Sequence, residues 1–281
     1  MCRLFGLSAA PHRVRASFWL LEAPDSLVAQ SRRNPDGTGI GTFDRGGSPV
    51  LDKEPLPAYA DPAFTREARH VSSTTFVSHV RFATTGGRTV ENTHPFELEG
   101  RIFAHNGVVG GLDRLEQRLG DDLRLVRGDT DSERYFALLT REIRTHGDVG
   151  AGIAAAAGWI AATLPLNSLN FVLATPDELW ALRYPDTHRL YVLERPAGGR
   201  HGGRELHHAS EILRVHVPHL ALHPTVVVAS EPLDDSPDWR LLAPGELLHV
   251  SSDLTVTSAV VLDAPPAQLL HPSYDYVREM P

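Results

Sequence analysis

Short runs rich in apolar residues, separated by turn residues, dominate the pattern along this chain. Their length and composition are typical of β-strands. The pattern predicts strands at residues 3–8, 39–43, 75–83, 101–105, 170–174, 179–183, 189–193, 225–230 and 246–250, with more strand near 254–261. Glycine (23 residues) and proline (21 residues) are frequent, so many of the connections are predicted to be turns.

Helical patterns are fewer, and the strongest covers residues 131–145. Its apolar residues fall on one helical face: Tyr135, Leu138, Leu139 and Ile143. The preceding sequence, Thr130-Asp131-Ser132-Glu133, has the capping-box pattern of a threonine cap followed three residues later by a glutamate. Further helices are predicted at 27–33 after Asp25 or Ser26, at 62–70 after Asp61, and at 149–162 before Pro165.

We interpret these elements as one α+β domain at residues 2–262, followed by a C-terminal tail at 263–281. No internal repeat is visible, and residues 195–205 (RPAGGRHGGRE) have the composition of a flexible loop. Four prolines in the tail leave its order open. Neither segment is typical of a linker, because neither half of the chain carries an independent set of motifs.

Composition and charge argue against several classes of function. The 281 residues are 42% hydrophobic and 22% charged, which is enough apolar sequence for a substantial core. A net charge of −8 argues against a nucleic-acid partner, and no run approaches the about 18 apolar residues of a membrane span. The N-terminal sequence is not typical of a signal peptide, and a single cysteine cannot form an internal disulfide, which favours a cytoplasmic protein.

The single cysteine directly follows Met1. The side chain of Cys2 is small, which favours removal of the initiator methionine, and removal would leave a thiol and a free α-amino group on one residue. An amine with an ordinary pKa of about 7.7–8.0 can accept the thiol proton at neutral pH. The sequence therefore predicts a nucleophile that carries its own base, although the position of one cysteine could also be accidental.

Further segments follow Cys2 in a characteristic order. They are NPDGTGIG at 34–41, HVRFAT at 79–84, ENTHPF at 91–96, AHNG at 104–107 and GDTDSE at 128–133. Together with Met1-Cys2-Arg3, this ordered set resembles the class II glutamine amidotransferases, the glutaminase branch of the N-terminal nucleophile hydrolases. The chain is most similar to their small stand-alone members, which carry no synthase domain. One of these hydrolyses a γ-glutamyl amide during ergothioneine synthesis.

The resemblance implies a fold, a reaction and a set of site residues. The implied fold is a four-layer αββα sandwich with two mainly antiparallel sheets. The implied reaction is cleavage of the γ-amide of glutamine through a γ-glutamyl thioester on Cys2. The implied substrate-binding residues are Arg81, Thr84 and Asp131, and the implied oxyanion hole is formed by Asn106 and Gly107.

Several of these residues also have a structural interpretation. Arg81 could be a solvated strand arginine, and the helix dipole alone favours an aspartate such as Asp131 in a first turn. Asn106-Gly107 is a common hairpin-turn sequence. His105 is interpreted as a structural neighbour and not as the base, and His94 as a core residue or a support for the site.

The substrate stays open at this stage. Thr85 follows Thr84 where many fused amidotransferases have a histidine, so the loop at 86–88 need not hold glutamine as tightly as theirs does. One reading is a glutaminase that supplies ammonia to a separate synthase. The others are a hydrolase of a larger γ-glutamyl conjugate and a catalytically silent binding protein with the same fold.

The remaining patterns predict no cofactor and no metal. The sequence contains no G-x-G-x-x-G, Walker or G-x-S-x-G pattern. A histidine-rich stretch shows no accompanying pattern of cysteine or acidic ligands, which argues against zinc. Its members are His201, His207, His208, His216, His219 and His223. Residues 229–233 (ASEPL) also resemble the stand-alone members, but chemistry assigns no role to them.

Overall fold

The computed structural model describes residues 2–83, 86–198, 209–210, 213–214 and 222–271 of the chain. Thr84, the predicted support for Arg81, lies outside the described residues, as do residues 272–281 of the predicted tail. Most of the histidine-rich stretch lies outside them as well: His201, His207, His208, His216 and His219.

The strands and helices are numbered along the chain. The strands are β1 (Arg3–Ser8), β2 (Thr38–Phe43), β3 (Pro49–Glu54), β4 (Thr75–Val80), β5 (Phe96–Leu98), β6 (Arg101–Val109), β7 (Pro165–Ala174), β8 (Leu179–Leu182), β9 (Tyr191–Arg195), β10 (Ala209–Ser210), β11 (Leu213–Arg214), β12 (Thr225–Ala229), β13 (Arg240–Leu241), β14 (Glu246–Val250), β15 (Val256–Val260) and β16 (Gln268–Leu269). The helices are α1 (Leu27–Gln30), α2 (Pro62–His70), α3 (Leu112–Leu119), α4 (Asp131–His146) and α5 (Val149–Thr163). Short 3-10 helices cover Ala58–Ala60 and Gly120–Leu125, and a π-helical turn covers Phe18–Glu22.

Two antiparallel sheets form the centre of the fold. The first has the strand order β13-β9-β12-β1-β4-β2-β3, and the second has the order β15-β14-β8-β7-β6-β5, with β16 added to β7 in parallel. Strand β1 pairs with β12 on one side and with β4 on the other. Cys2, immediately before β1, therefore lies between the ends of two neighbouring strands.

The inner faces of the two sheets pack against each other. Leu4 and Val77 of the first sheet share a fully buried core with Ile102 and Val172 of the second. Successive side chains of a strand point to opposite faces, so Phe5, next to Leu4, belongs to a different core. Alternation within single strands thus separates the inner core from the outer ones.

Helices cover both outer faces. On the first sheet Phe5 packs with Trp19 and Phe64, which come from the π-helical turn and α2. On the second sheet Phe103 packs with Phe136 and residues of α5. The resulting order of helix, sheet, sheet and helix confirms the predicted α+β sandwich. No helix in the described part of the chain is long and apolar enough to cross a membrane.

The helices whose sequences carry a capping residue or a terminating proline agree with the sequence-based prediction. Helix α2 has the predicted bounds, and Oδ1 of its cap Asp61 accepts the Ala63 N–H at 2.8 Å. Helix α4 begins after the predicted cap Thr130, and α5 ends two residues before Pro165. The sequence-based prediction missed β3, β5, α3, the two-residue strands β10, β11, β13 and β16, and the short 3-10 and π-helical turns. The predicted strand 75–83 ends earlier, at Val80.

The first residues of the predicted tail bond to the domain. The Ala267 N–H donates to the Ala161 carbonyl at 2.8 Å, and the Leu270 N–H donates to the Leu166 carbonyl at 2.7 Å. These bonds flank the pairing of β16 with β7. The boundary at 262/263 stays a prediction.

Candidate active site

Cys2 lies beside the residues that follow β4. Its Sγ donates to the Phe82 carbonyl at 3.3 Å, and the Phe82 N–H lies 3.2 Å from the same sulfur. Burial raises the pKa of the Cys2 thiol, whereas the Phe82 N–H and the charge of Arg81 lower it. The sulfur is therefore fixed by the main chain of one residue and lies within electrostatic reach of a cation.

Arg81 leaves β4 but stays bonded to the segment at 34–41. Its N–H donates to the Gly37 carbonyl at 2.8 Å, and its carbonyl accepts the Asp36 N–H at 3.0 Å. Main-chain bonding to this segment therefore continues past Val80, where β4 ends short of the predicted residue 83. The two bonds also fix the direction in which the arginine side chain leaves the sheet.

The guanidinium of Arg81 is buried. Arg81 is 3% exposed, and its Nη1 and Nη2 donate to the carbonyls of Gly87 and Gly86 at 2.9 and 3.2 Å. Burial lowers the pKa of Arg81, whereas Cys2 and two carboxylates, one of them Asp131, raise it. The interpretation of Arg81 as a solvated strand arginine is therefore wrong.

The start of α4 contains half of the predicted capping box. Oγ1 of Thr130 accepts the Glu133 N–H at 3.2 Å, as expected for the cap. The Glu133 carboxylate instead accepts the N–H groups of Arg127 and Gly128 at 2.8 and 2.7 Å. Glu133 thus fixes the chain just before the cap, and the start of the helix becomes a rigid support for its first residue.

That first residue is Asp131, which is 2% exposed. Its Oδ2 accepts the Val109 N–H at 2.8 Å, so the start of α4 is tied to the end of β6. The negative charge of Asp131 raises the pKa values of both the Cys2 thiol and the Arg81 guanidinium. The half-buried Cys2 thiol therefore lies within the electrostatic influence of a buried cation and a buried carboxylate.

Asn106 and Gly107 lie inside β6 and not in a turn, so the hairpin interpretation is wrong. Asn106 pairs with Asn170 of β7, and Gly107 pairs with Leu169. A Cβ on Gly107 would lie 1.9 Å from the Ser168 carbonyl oxygen. The close approach of β7 therefore requires glycine at position 107, next to an asparagine that is 4% exposed.

His105 joins the three elements that surround this asparagine. Its Nδ1 lies 2.9 Å from Ser132 Oγ in α4, and its Nε2 lies 3.0 Å from the Ser168 carbonyl oxygen in β7. A carbonyl can only accept, so Nε2 carries the proton and Nδ1 accepts the Ser132 hydroxyl. Burial lowers the pKa of His105, and Asp131 opposes this shift. Both ring nitrogens are engaged, which supports a structural role.

Two more histidines are buried nearby. The rings of His79 and His94 lie 4.3 Å apart, and that of His94 lies 4.4 Å from Phe96. Burial lowers the pKa of His79 to about 3 and that of His94 well below its ordinary value, so both are neutral at neutral pH. A Cβ on Gly39 would lie 2.4 Å from the His94 carbonyl oxygen, which explains one glycine of the 34–41 segment.

Asp36 connects that segment to the chain around the arginine. Its Oδ2 accepts the Ala83 N–H at 2.9 Å, and its Oδ1 lies 2.5 Å from Nη2 of Arg88. Asp36 is 5% exposed, whereas the Arg88 side chain is 67% exposed. The carboxylate therefore bonds to a residue that precedes the loop at 86–88 and to the last residue of that loop.

The structure brings most of the predicted site residues together. Cys2, Arg81 and Asp131 influence one another electrostatically, and Asn106 and Gly107 lie on the strand that bonds to Asp131. Sequence reasoning did not single out Asp36, although it lies within the recognised segment at 34–41. It also missed Ser132 and Ser168, whose contacts with His105 have no local sequence signal. Among the described residues, no group of three or more His, Cys, Asp or Glu side chains is arranged to hold a metal ion.

Comparison with known sequences gives a match over nearly the whole chain. The sequence profile of the family described as glutamine amidotransferases class-II matches residues 1–268. YafJ of Escherichia coli (strain K12), provisionally named a glutamine amidotransferase, is 30% identical over 261 residues. That alignment covers 88% of this chain and 96% of YafJ.

Solved structures share the architecture. A glutamine aminotransferase class-II domain protein from Silicibacter pomeroyi superposes with a TM-score of 0.60 at 24% identity, covering 92% of this chain and 99% of its own. Glutamine phosphoribosylpyrophosphate amidotransferase from Bacillus subtilis superposes with a TM-score of 0.64 at 20% identity. This chain covers 51% of that larger protein. At these identities the likeness shows the fold alone.

Proposed function

This chain belongs to the class-II glutamine amidotransferases, and on that premise we propose that it hydrolyses the γ-amide of glutamine through a thioester on Cys2. The observation that carries the proposal is the placement of the Cys2 sulfur within reach of one buried cation, Arg81, and one buried carboxylate, Asp131. Free glutamine has an α-carboxylate, an α-ammonium group and a distant amide. The two buried charges are complementary to its two charged groups, and the thiol is available for the amide.

Binding of glutamine would use the planar guanidinium of Arg81 for the α-carboxylate, since such pairs form two parallel hydrogen bonds. This guanidinium donates to the carbonyls of Gly86 and Gly87, so substrate would compete with these two contacts. The α-ammonium group would pair with Asp131, whose Oδ2 stays anchored to Val109. Thr84 is assigned to the support of Arg81 by resemblance alone.

The chemical steps start after removal of Met1. The α-amine of Cys2 takes the thiol proton, and the thiolate attacks the amide carbon of glutamine. The Asn106 side chain and the Gly107 N–H hold the oxyanion, a contact that typically stabilises the transition state by about 3–4 kcal/mol for each donor. The α-ammonium group then protonates the leaving ammonia. Water hydrolyses the γ-glutamyl thioester through a second oxyanion and releases glutamate.

The raised pKa of the buried thiol fits this order of events. Burial disfavours the thiolate, so Cys2 stays protonated until the adjacent amine accepts its proton. A base attached to the same residue needs no separate histidine. The structure agrees with that assignment, because both ring nitrogens of His105 are engaged with Ser132 and Ser168.

The experiment is glutamine hydrolysis by the wild-type protein and by Cys2→Ala, followed as release of ammonia and glutamate. We expect Cys2→Ala to lose at least about 10³-fold in kcat, because no other thiol is present in the chain. Ser8→Ala is the matched control, since Ser8 is a buried residue at the other end of β1. Equal hydrolysis by wild type and Cys2→Ala would exclude the thioester route.

A larger γ-glutamyl conjugate is the second candidate substrate. It is favoured by Thr85, which stands where many fused relatives have a histidine, and membership of the ergothioneine-related subgroup stays a prediction. Comparing kcat/KM for glutamine with kcat/KM for γ-glutamyl amides of increasing size separates the two substrates. Strong activation by an added synthase would favour a glutaminase that supplies ammonia to that synthase. No turnover of any of these compounds would favour a catalytically silent binding protein.

A further inference from the structure

The main chain next to Cys2 is held by a residue from the second half of the sequence, Ser230. The Ser230 N–H donates to the Leu4 carbonyl at 3.1 Å, and the Leu4 N–H donates to Ser230 Oγ at 2.9 Å. A side-chain hydroxyl therefore replaces a main-chain acceptor at the end of the pairing between β1 and β12. Ser230 is 6% exposed and Leu4 is 1% exposed, so these bonds are shielded from water.

Arg3 makes the next contact toward the nucleophile. Its Nη1 donates to the Cys2 carbonyl at 3.2 Å, and its Nη2 lies 2.6 Å from Oε1 of Glu231. The Arg3 side chain is 12% exposed, and that of Glu231 is 36% exposed. A mostly buried guanidinium thus bridges the carbonyl of the nucleophile residue and the carboxylate that follows Ser230.

We propose that Arg3, Ser230 and Glu231 are positioning residues that orient the main chain of Cys2, and that the charge of Arg3 keeps the α-amine of the processed cysteine in its proton-accepting form. The inference deepens the proposed function and rests on it, because it concerns the amine that serves there as the base. It also gives a role to the ASEPL segment at 229–233.

The electrostatic part follows from covalent geometry. The carbonyl and the α-amino group of Cys2 are attached to the same Cα, so a guanidinium bonded to the carbonyl lies a few ångströms from the amine. A unit charge at about 5 Å in a well-screened environment changes a pKa by about half to one unit. A positive charge disfavours the ammonium form and the protonated thiol alike. Arg3 therefore keeps the free amine unprotonated and favours proton loss by the thiol, and Glu231 opposes Arg3.

Other charged groups face the same region and set the background. From the end of β4, Arg81 lowers the pKa of the Cys2 thiol, and from the start of α4, Asp131 raises it. In the segment before β9, the pKa of His188 is lowered to about 4, mainly by burial and in part by the charge of Arg3. This contribution supports an electrostatic influence of Arg3 beyond its ion pair with Glu231.

Asp25 and Arg33 complete the charged cluster on the outer side of Glu231. Arg33 Nη2 lies 3.2 Å from Asp25 Oδ1 and 4.0 Å from Glu231 Oε2, and its side chain is 61% exposed. Burial raises the pKa of Asp25, Arg33 lowers it, and Glu231 raises it. Arg33 is therefore a cation of the same cluster. Within the described residues no hydrogen bond joins it to Cys2, so it is a matched control for Arg3.

The test uses the single cysteine of the chain. The rate of alkylation by iodoacetamide reports Cys2 alone and needs no knowledge of the substrate. Rates measured from pH 5 to 10 give an apparent pKa for the thiol in wild type, Arg3→Met, Arg3→Lys, Glu231→Gln and Arg33→Met. Thermal unfolding of each variant is measured in parallel.

We expect Arg3→Met to raise the apparent pKa by about half to one unit and Glu231→Gln to lower it by about half a unit or less. Arg3→Lys should stay near the wild-type value because the charge is kept, and Arg33→Met should shift it by less than half as much as Arg3→Met. The acid limb of kcat/KM for glutamine should move in the same direction as the alkylation curve.

A superimposable alkylation curve for wild type and Arg3→Met, with folded protein, would overturn the electrostatic role, whatever happens to the unfolding temperature. If Arg3→Met does not fold, Glu231→Gln decides the matter, and the absence of a downward shift overturns the inference. Failure of the proposed function is a separate result: Cys2→Ala would then hydrolyse glutamine normally, while the alkylation curves of the Arg3 variants still measure the effect of its charge on the thiol.

Discussion

Two regions of this molecule differ in how they arrange their polar groups. A cleft of about 610 Å³ lies between the turn that joins α4 to α5 and strands β8, β14 and β15. In its wall the rings of Trp180 and His249 stack with centroids 4.7 Å apart, and His249 Nε2 lies 3.3 Å from Glu178 Oε2. The side chains of His249 and Glu178 are 33% and 34% exposed.

The region around Cys2 has the opposite character. Arg81 and Asp131 are 3% and 2% exposed, and they come from segments far apart in sequence. Exposed ion pairs are screened and contribute little, whereas buried charges interact strongly and persist only when the fold holds them. The proposed function therefore places the functional centre at opposing buried charges beside the thiol, and not at the cleft of about 610 Å³.

Among the variants that test this comparison, Asn106→Ala is expected to lose the most activity. Loss of an oxyanion donor should reduce kcat for glutamine by about 10²–10³-fold, while KM changes little, because the contact forms in the transition state. Asn167→Ala, which removes another buried asparagine from the neighbouring strand β7, is the control. An unchanged kcat in Asn106→Ala would remove this residue from the site.

Asp131→Asn should have the next largest effect. The substitution removes the charge but keeps an oxygen that can accept the Val109 N–H. Loss of one charge-assisted contact to the α-ammonium group should lower kcat/KM by about 10–100-fold, mainly through KM. Steady-state kinetics with glutamine measures the change. A wild-type KM in a folded variant would contradict the assignment of Asp131 to the substrate.

A buried histidine and a partly exposed one are expected to differ by a smaller effect, which concerns stability and not activity. The unfolded chain binds protons at an ordinary histidine pKa of about 6.5, whereas burial holds the pKa of His79 at about 3. More protons are bound in the unfolded state, so stability is lost as the pH falls below about 6.5. From pH 7.5 to 5.5 one such histidine should lower the free energy of unfolding by roughly 1 kcal/mol.

Urea unfolding at the two pH values tests this prediction. His79→Gln should show a smaller decrease between pH 7.5 and 5.5 than wild type, by about the amount given above, whatever its stability at pH 7.5. His249→Gln, in the partly exposed pair of the cleft lined by Trp180, is the matched control. The same decrease in His79→Gln as in wild type would contradict the neutral, buried state of this histidine.

The smallest change in activity is expected for Glu178→Gln, in the cleft of about 610 Å³. The pair with His249 is partly exposed and lies outside the region around Cys2. We expect kcat and KM for glutamine to stay within about twofold of wild type and the unfolding temperature to change little. A tenfold loss of kcat/KM would show that the cleft belongs to the catalytic machinery.

The elements that sequence predicted well are those with local signals at their ends. Asp61 and Thr130 cap α2 and α4 as expected. Strand β3 was missed because it is a partly buried edge strand with mixed polarity. Helix α3 was missed because it begins after Gly111, which adopts a left-handed conformation with φ of 66° and provides no side-chain cap. Strand β5 has only three residues.

The site follows the same rule: its residues were predictable from local segments, whereas the contacts between distant segments were not. Cys2, Arg81, Asp131, Asn106 and Gly107 stand in segments that the family resemblance identified. The contacts that hold these residues in place join segments far apart in sequence and could not be predicted from local patterns. Examples are the hydrogen bonds that join His105 to Ser132 and to the Ser168 carbonyl, and those that join Leu4 to Ser230.

The most direct test of the central claim is the identity of the first residue in a fully active preparation, determined by intact mass and N-terminal sequencing. The account predicts that every active molecule begins with Cys2, because only a free α-amine can take the thiol proton. A preparation in which Met1 is retained throughout, yet glutamine is hydrolysed at the full rate, would contradict it.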